Sequence, residues 1–169
     1  LADALRGHGA DYAEIRVEET DATSLTYRGR TLEEVGRTSN LGGCVRAVVN
    51  GGWGFVSFNS LEGLRDRVGL AVRQARLVGG EGTTLAAVEP HVDVVVPTLR
   101  RDPVTVSLDE KKRLMDEYVE AAWAVSSRIQ TTNAGYGDAR RRVIFANSEG
   151  SYIDQSRFRV SARVQVLAR

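Results

Sequence analysis

The sequence predicts an α+β fold, with antiparallel or mixed β-sheets covered by long amphipathic helices in two similar helix-plus-strands units. Two stretches with helical apolar spacing, beginning near Ser60 and Ser107, are each bordered by runs of alternating apolar and polar residues. Short turns separate the alternating runs, which favours antiparallel pairing of neighbouring strands. Strands and helices do not alternate regularly, so a doubly wound parallel sheet is not expected.

Length and composition restrict the classes of protein that fit. With 169 residues, 42% of them hydrophobic, the chain can form one domain or two small ones with a buried core. The net charge of +1 gives no general electrostatic reason to bind nucleic acid. Cys44 is the single cysteine, which fits a reducing compartment and predicts a cytoplasmic protein. No apolar run reaches the roughly 18 residues of a membrane helix, so no membrane partner is expected.

Three segments are predicted. Residues 1–80 form the first α+β unit, residues 81–106 a linker containing all three prolines, and residues 107–169 the second α+β unit. A short strand is expected in the linker at residues 92–96. The chain opens inside a helical pattern and closes inside an alternating strand, so we expect the second unit to continue in a longer protein.

Two hairpins are predicted in the first unit. Alternation over residues 12–18 predicts a half-buried strand, and Arg28-Gly29 marks the first turn. The stretch LGGCVRAVVNGGWGFVSFNS predicts the second hairpin. Asn50-Gly51 would form its type I′ turn, because both central residues need a positive φ. Trp53 is expected to pack across this hairpin, with Gly54 leaving space beside it.

An amphipathic helix should follow, with Ser60 as its N-cap and Gly79-Gly80 at its end. Its predicted apolar stripe consists of Leu61, Leu64, Val68, Ala71, Val72 and Ala75.

The second unit should begin with a helix capped by Ser107, where Glu110 completes a capping box. Its predicted buried stripe consists of Leu108, Met115, Tyr118, Val119, Ala122 and Val125. Strands then follow, with turns at residues 136–138 and 147–150.

The last strand is predicted to have two different faces. Period-two alternation places Phe158, Val160, Ala162, Val164 and Val166 against a core. The same alternation places Arg157, Arg159 and Arg163 on the outer face.

Few residues have the spacing of a reactive site. His8 and His91 lie far apart without carboxylates or cysteines at ligand spacing, which favours ordinary histidines over a zinc site. Cys44 has no neighbouring histidine and is better explained as a small buried side chain than as a nucleophile. Glycines 51, 52 and 54 lead into a strand rather than a helix, which favours a hairpin over a phosphate-binding loop. We therefore assign no catalytic, cofactor-binding or metal-binding residue in this chain.

Two arginine groups remain, at residues 140–142 and on the face of Arg157, Arg159 and Arg163. They are compatible with an acidic partner or with nucleic acid. Aromatic residues do not alternate with them, so a solvated strand face is favoured and nucleic-acid binding is not expected.

Four stretches together resemble the N-terminal region of the TldD/PmbA proteins, also called modulators of DNA gyrase. They are GADYAEIRVEE, GGCVRAVVNGGWGFVSFNSLEGL, DPVTVSLDEKKRLM and VIFANSEGSYIDQSRFRVSARVQVLAR. The most specific part is the WGF hairpin from Gly43 to Ser57, where Cys44 replaces a valine that is frequent in the family. The segment from Asp102 to Lys111 looks more like the TldD branch than the PmbA branch.

The resemblance implies a cytosolic protease that assembles as a heterodimer with a PmbA/TldE-like subunit or as a homodimer. It implies unfolded or short peptides as substrates, and zinc bound by an HExxxH motif in the C-terminal half of the full-length protein. This chain contains no His-Glu pair, so no catalytic residue is carried over. The chain is then expected to be a non-catalytic scaffold for dimerisation and for a substrate channel. Two alternatives are a stand-alone protein-binding module, such as a gyrase modulator, and a nucleic-acid binder that uses its arginine face.

Overall fold

The computed structural model describes residues 1–78, 83 and 85–169. Its two α-helices are α1 (Leu64–Val78) and α2 (Leu108–Ala124), and 3₁₀ segments lie at Ala2–Leu5 and Pro103–Thr105. The strands are β1 (Tyr12–Arg28), β2 (Thr31–Val49), β3 (Gly52–Phe58), β4 (Val92–Val95), β5 (Ile129–Asn147) and β6 (Tyr152–Ala168). The predicted helix end at Gly79-Gly80 lies outside the described residues. The α+β class is confirmed.

The strands form one sheet in the order β3-β2-β1-β5-β6-β4. Strands β2 and β3 pair antiparallel, as the hairpin predicts. Strand β4 confirms the predicted strand in the proline-containing segment, but it pairs parallel with β6, with Val92 opposite Tyr152. The sheet is therefore mixed, within the predicted antiparallel or mixed class. Strands β4 and β6 are far apart in sequence and no tight turn fixes their direction.

The contacts divide the chain into two compact units that interleave in sequence. Unit 1 contains Leu1–Glu19, Leu41–Val96 and Arg142–Ser156, and unit 2 contains Thr20–Asn40, Pro97–Arg141 and Arg157–Arg169. The long strands β1, β2, β5 and β6 contribute residues to both. This division follows spatial contacts, whereas the boundaries at residues 1–80, 81–106 and 107–169 follow the sequence pattern and remain a prediction.

The core of unit 1 forms where α1 packs on the sheet. Val68, Ala71, Val72 and Ala75 of the predicted stripe are all at most 2% exposed, whereas Leu61 is exposed and precedes the helix. The proposed cap at Ser60 is wrong, because its Oγ accepts a hydrogen bond from Glu62 N and the helix begins only at Leu64. Strand β1 contributes Ala13, Ile15 and Val17 to this core, as its alternation predicts.

Gly54 is the point of closest approach between β3 and α1. A Cβ atom built there would lie 1.8 Å from the carbonyl oxygen of Ala71 and 2.8 Å from the amide nitrogen of Ala75. The space that Gly54 leaves is therefore occupied by the helix backbone. Trp53 packs across the hairpin as predicted, against Arg46 of β2, whose guanidinium lies 5.7 Å from the ring centroid.

The Asn50-Gly51 turn is confirmed. Asn50 has φ +47° and Gly51 has φ +79°, and Val49 pairs with Gly52 across the turn. Both central residues thus have the positive φ that a type I′ turn requires.

Replacing Gly51 by valine is expected to lower the free energy of unfolding by about 1–3 kcal/mol, because a β-branched residue is strained at positive φ. Urea denaturation measures the loss. Asn50→Gly is the control, since glycine adopts this conformation without strain and should change stability little. A Gly51→Val protein with the stability of the parent would contradict the turn geometry.

The core of unit 2 lies between α2 and the sheet. Its buried members are Leu25, Tyr27, Met115, Val119, Ala134 and Tyr136. The predicted stripe on α2 is too wide, because Leu108, Tyr118 and Val125 are exposed. Lys111 is buried instead, since it lies on the same helix face one turn before Met115.

Ser107 caps α2 as predicted, and its Oγ accepts a hydrogen bond from Glu110 N at 3.2 Å. The Glu110 side chain does not complete the capping box, because its carboxylate forms a two-pronged ion pair with Arg101.

Ser107→Ala is expected to cost about 1 kcal/mol of stability, because one backbone N–H of the first helical turn loses its acceptor. Thermal unfolding followed by circular dichroism measures the change, and Ser107→Asp should restore it. Ser127→Ala serves as the control because Ser127 is exposed. If Ser107→Ala had the same melting temperature as the Ser127→Ala control, Ser107 would not be the N-cap and α2 would begin at another residue.

Two predictions about the last strands are wrong. Residues 136–138 form no turn, because β5 runs without interruption from Ile129 to Asn147 and buries Tyr136 and Asp138. The turn at residues 147–150 is confirmed, and Ser151 N donates to Asn147 Oδ1 at its end. The predicted core face of β6 is mostly uncovered, because Val160 and Val166 are exposed while only Phe158 and Val164 are half-buried.

Candidate functional site

An ion pair lies buried beneath α2 in unit 2. Lys111 Nζ lies 2.7 Å from Asp138 Oδ2, and the two side chains are 4% and 1% exposed. The ammonium also donates to Thr23 Oγ1 at 3.4 Å and lies 5.9 Å from the centroid of the Tyr136 ring. Neither Asp138 oxygen has a hydrogen-bond partner, so the contact with Lys111 is close but poorly aligned. Each charge is therefore compensated almost entirely by the other.

A cavity of about 400 Å³ opens beside this pair. Its lining includes Arg101, Lys111, Arg113, Leu114, Tyr136 and Val160. Burial is the main cause that raises the pKa of the Tyr136 hydroxyl, and the adjacent Asp138 carboxylate adds to the increase. The lining combines apolar side chains with the guanidinium groups of Arg101 and Arg113 and the carboxylates of Glu110 and Glu117. The cavity therefore carries charges of both signs around an apolar wall.

A second polar cluster lies in unit 1. The buried Glu14 carboxylate accepts hydrogen bonds from Tyr12 OH and Arg46 Nε, both at 2.6 Å. Burial, followed by the interaction with Glu14, raises the pKa of Tyr12 to about 12. The alternation in β1 predicted an exposed Glu14, and its pairing with Arg46 of β2 explains why it is buried.

The two histidines are not brought together into a zinc site. His8 Nε2 lies 3.0 Å from the carbonyl oxygen of Ala4, and His91 Nε2 lies 3.8 Å from Asp93 Oδ2 at an exposed position. Within residues 1–78, 83 and 85–169, no three His, Cys, Asp or Glu side chains are grouped as metal ligands. The zinc that the family resemblance implies therefore does not fit the donors of this part of the chain.

Cys44 is half-buried, and burial raises the pKa of its thiol. A raised thiol pKa disfavours the reactive thiolate. The prediction of a buried small side chain is thus only partly accurate, because Cys44 keeps some exposure. The geometry gives it no activated role.

Arg140 and Arg142 of the β5 arginine cluster are held in ion pairs. Arg140 contacts Asp21 at 2.6 Å in unit 2. In unit 1, Arg142 contacts Asp154 at 2.6 Å and Glu19 at 3.4 Å. The Arg142 guanidinium holds the pKa of the Asp154 carboxyl below its usual value. These pairs leave the cluster poorly suited to binding an external anion.

The arginines of β6 differ from those of β5. Arg157, Arg159 and Arg163 are all exposed, and no ion pair joins them to another residue in the described part of the chain. Arg163 lines a groove that also contains Arg28, Glu33 and Asn133. The outward orientation predicted for these three arginines is confirmed.

The sequence analysis missed Lys111 and Asp138. The apolar spacing of α2 could have indicated that Lys111 is buried, because Lys111 lies three residues after Leu108 and four before Met115, on the same helix face. Asp138 was not recognised because it lies in a glycine-containing stretch whose composition is typical of a turn.

Among the described residues, no helix combines the length and the apolar character needed to cross a membrane.

Comparison with protein families gives two matches in sequence order. The model for PmbA/TldA metallopeptidase domain 1 matches residues 13–75. The model for the PmbA/TldA metallopeptidase central domain matches residues 101–169.

Curated relatives are named as metalloproteases. One from Synechocystis sp. is 37% identical over 147 residues, which cover 86% of this chain and 32% of the relative. Another from Methanothermobacter thermautotrophicus is 28% identical over 158 residues, covering 94% of this chain and 34% of the relative. The chain thus spans about a third of the length of the curated relatives it matches.

Solved structures share the fold at low identity. A protein from Bacteroides thetaiotaomicron, named as a candidate modulator of DNA gyrase, aligns with a TM-score of 0.79 and 20% identity over 99% of this chain and 39% of that chain. TldE from Thermococcus kodakarensis aligns with a TM-score of 0.75 and 16% identity over the same shares. Because two successive domain models of one family together match more than half of its residues, the chain belongs to the PmbA/TldD metallopeptidase family and contains its first and central domains.

Proposed function

We propose that this chain is the non-catalytic N-terminal region of a TldD-type zinc metalloprotease subunit that degrades or processes unfolded or short peptides. The observation that carries the proposal is the order of the two family matches, first domain and then central domain of a metallopeptidase. The sequence has no HExxxH motif, and its two histidines lie in separate environments. The zinc ligands and the general base are then supplied by residues outside this chain.

In this proposal the chain acts as a scaffold for dimerisation and for a substrate channel. The exposed arginines of β6 line the channel in the assembled protease, where their charge would attract acidic segments of a peptide. A PmbA/TldE-like subunit or a second copy completes the dimer, and the protein acts in the cytoplasm.

The isolated chain is expected to have no proteolytic activity. The chain is incubated with an unfolded peptide and zinc, with and without a chelator, and products are measured by mass spectrometry. No cleavage is expected, because the described side chains provide no group of metal ligands. Chelator-sensitive cleavage by the pure chain would show that the chemistry lies within it.

Charge reversal tests the channel. Arg157→Glu with Arg163→Glu, made in the full-length protein, should slow cleavage of acidic peptides relative to basic ones. Arg73→Glu with Arg100→Glu is the matched control, because both residues are exposed and the change in charge is the same. If both variants cleave acidic and basic peptides equally well, the β6 arginines do not line a substrate channel and only form a solvent-exposed surface.

A further inference from the structure

The groove beside Arg163 lies wholly within unit 2 and has a volume of about 310 Å³. It is formed by β1, β5 and β6, which are neighbours in the sheet, and by the start of β2. Its exposed lining residues are all polar, so their side chains are accessible to a ligand. They are Thr26, Arg28, Glu33, Asn133, Arg163 and Gln165.

The groove contains one positive charge that is not compensated. Arg28 Nε lies 3.2 Å from Glu33 Oε1 and 3.3 Å from Glu33 Oε2, so these two side chains neutralise each other. Arg163 is the third charged residue of the lining, and no ion pair joins it to another residue in the described part of the chain. Two guanidinium groups and one carboxylate leave a single positive charge. A singly charged carboxylate balances this charge, whereas a phosphate group carries nearly two negative charges.

The neutral side chains of the lining add donors around Arg163. Thr26 provides a hydroxyl, and Asn133 and Gln165 provide amide NH₂ groups. A guanidinium binds both oxygens of a carboxylate through two parallel N–H donors, so Arg163 suits this group. Tyr27 also lines the groove but is 1% exposed, so its ring offers no surface on which a nucleic-acid base could stack.

Gly135 leaves the middle of the groove open. It does not have a positive φ, and the nearest atom to an added Cβ would be the Leu25 carbonyl oxygen at 3.6 Å, which is an ordinary contact. Neither the backbone conformation nor the packing of the fold therefore requires glycine here. A glycine inside a strand lowers stability and is typical of places where a ligand or another backbone approaches closely. An extended peptide backbone can lie over β5 at this position.

We infer that this groove binds an acidic side chain of an extended peptide, and that Arg163 recognises its carboxylate. The peptide backbone lies over Gly135, and the carboxylate accepts hydrogen bonds from the Arg163 guanidinium. The inference rests on the proposed function, because the peptide is a segment of the protease substrate. It assigns the preference for acidic segments to one arginine of β6 and not to the charge of the whole strand.

The test is an NMR titration of the full chain with two peptides. Both are acetylated and amidated peptides of alternating threonine and alanine, and they differ only in a central glutamate or glutamine. The glutamate peptide should bind the parent about tenfold more tightly, because one charge-assisted pair is gained. Arg163→Met should abolish this preference. Arg100→Met is the matched control and should keep it, since Arg100 is exposed and lies outside the groove.

Gly135→Ala tests whether the peptide backbone lies on the floor of the groove. The methyl group should weaken both peptides about fivefold, and circular dichroism establishes that the variant is folded. Sodium acetate tests a site for small anions, and it should bind far more weakly than the glutamate peptide.

Three results would each overturn the inference: equal affinity of the two peptides, an unchanged preference in Arg163→Met, or acetate binding as tight as peptide binding. Peptide affinities in Gly135→Ala equal to those of the parent would overturn it as well. The titration involves no cleavage. Absence of protease activity in the full-length protein would therefore contradict the proposed function without changing the binding result.

Discussion

Replacing Gly54 by alanine is expected to lower the free energy of unfolding by about 3 kcal/mol or more. The new methyl group would overlap the Ala71 carbonyl oxygen at 1.8 Å and its carbon at 2.7 Å, and both are backbone atoms of α1 that no rotamer change can move. Overpacking of a well-packed contact typically costs about 1–3 kcal/mol, and a collision with helix backbone lies at or above the upper end. Because α1 provides Val68, Ala71, Val72 and Ala75 to the core of unit 1, displacing it weakens that core.

Urea denaturation of Gly54→Ala, monitored by Trp53 fluorescence and circular dichroism, measures this loss. Gly69→Ala is the matched control. A Cβ at Gly69 meets only side-chain atoms at 3.5 Å or more, so alanine should stabilise the helix by about 0.5–1 kcal/mol. If both alanine variants change stability by the same small amount, α1 does not lie as close to β3 as the structure shows.

Replacing Lys111 by methionine is expected to cost about 3–5 kcal/mol, the second of the two largest effects. The substitution leaves the Asp138 carboxylate buried without Lys111, its close charged partner. Breaking a buried ion pair by removing one partner typically has this cost, because the remaining charge is no longer compensated. The long apolar part of methionine fills much of the space of the lysine side chain, so the lost charge dominates.

The double variant Lys111→Met with Asp138→Leu separates the charge from the packing. Replacing both partners by apolar residues is often neutral or stabilising, so the double variant should recover most of the loss. Lys112→Met is the control, since Lys112 pairs with Asp116 at the surface and should cost at most about 1 kcal/mol. A double variant as unstable as Lys111→Met would show that the pair is not what stabilises this region. All stabilities are measured by chemical denaturation at neutral pH.

Local features were readable from the sequence because they depend on neighbouring residues only. Asn50-Gly51 adopts positive φ wherever two strands must reverse within two residues, and the structure shows this turn. Ser107 caps α2 because its hydroxyl satisfies a free N–H three residues later. The family resemblance likewise rested on contiguous stretches, and the two family matches confirm it.

The same local signals failed at two other places, one for a local reason and one because a distant strand competes. Ser60 has the chemistry of an N-cap, but its hydroxyl binds Glu62 N and α1 starts at Leu64. Residues 136–138 have the composition of a turn, but pairing in the sheet keeps β5 extended through them. Composition describes what a segment can adopt, whereas the pairing partners select one conformation.

The class of fold, the hairpin turn, the cap of α2, most of the apolar stripe of α1 and the family could all be predicted from local sequence patterns. Tertiary structure alone decided which polar groups are buried and which strands pair. Lys111 is buried because Asp138, from a strand that follows the helix, supplies the opposite charge within 2.7 Å. Gln74 of α1 accepts a hydrogen bond from Phe55 N of β3 because Gly54 allows the helix to approach this strand. In both cases the energy of a polar group depends on a partner brought near by folding, and no local pattern encodes that distance.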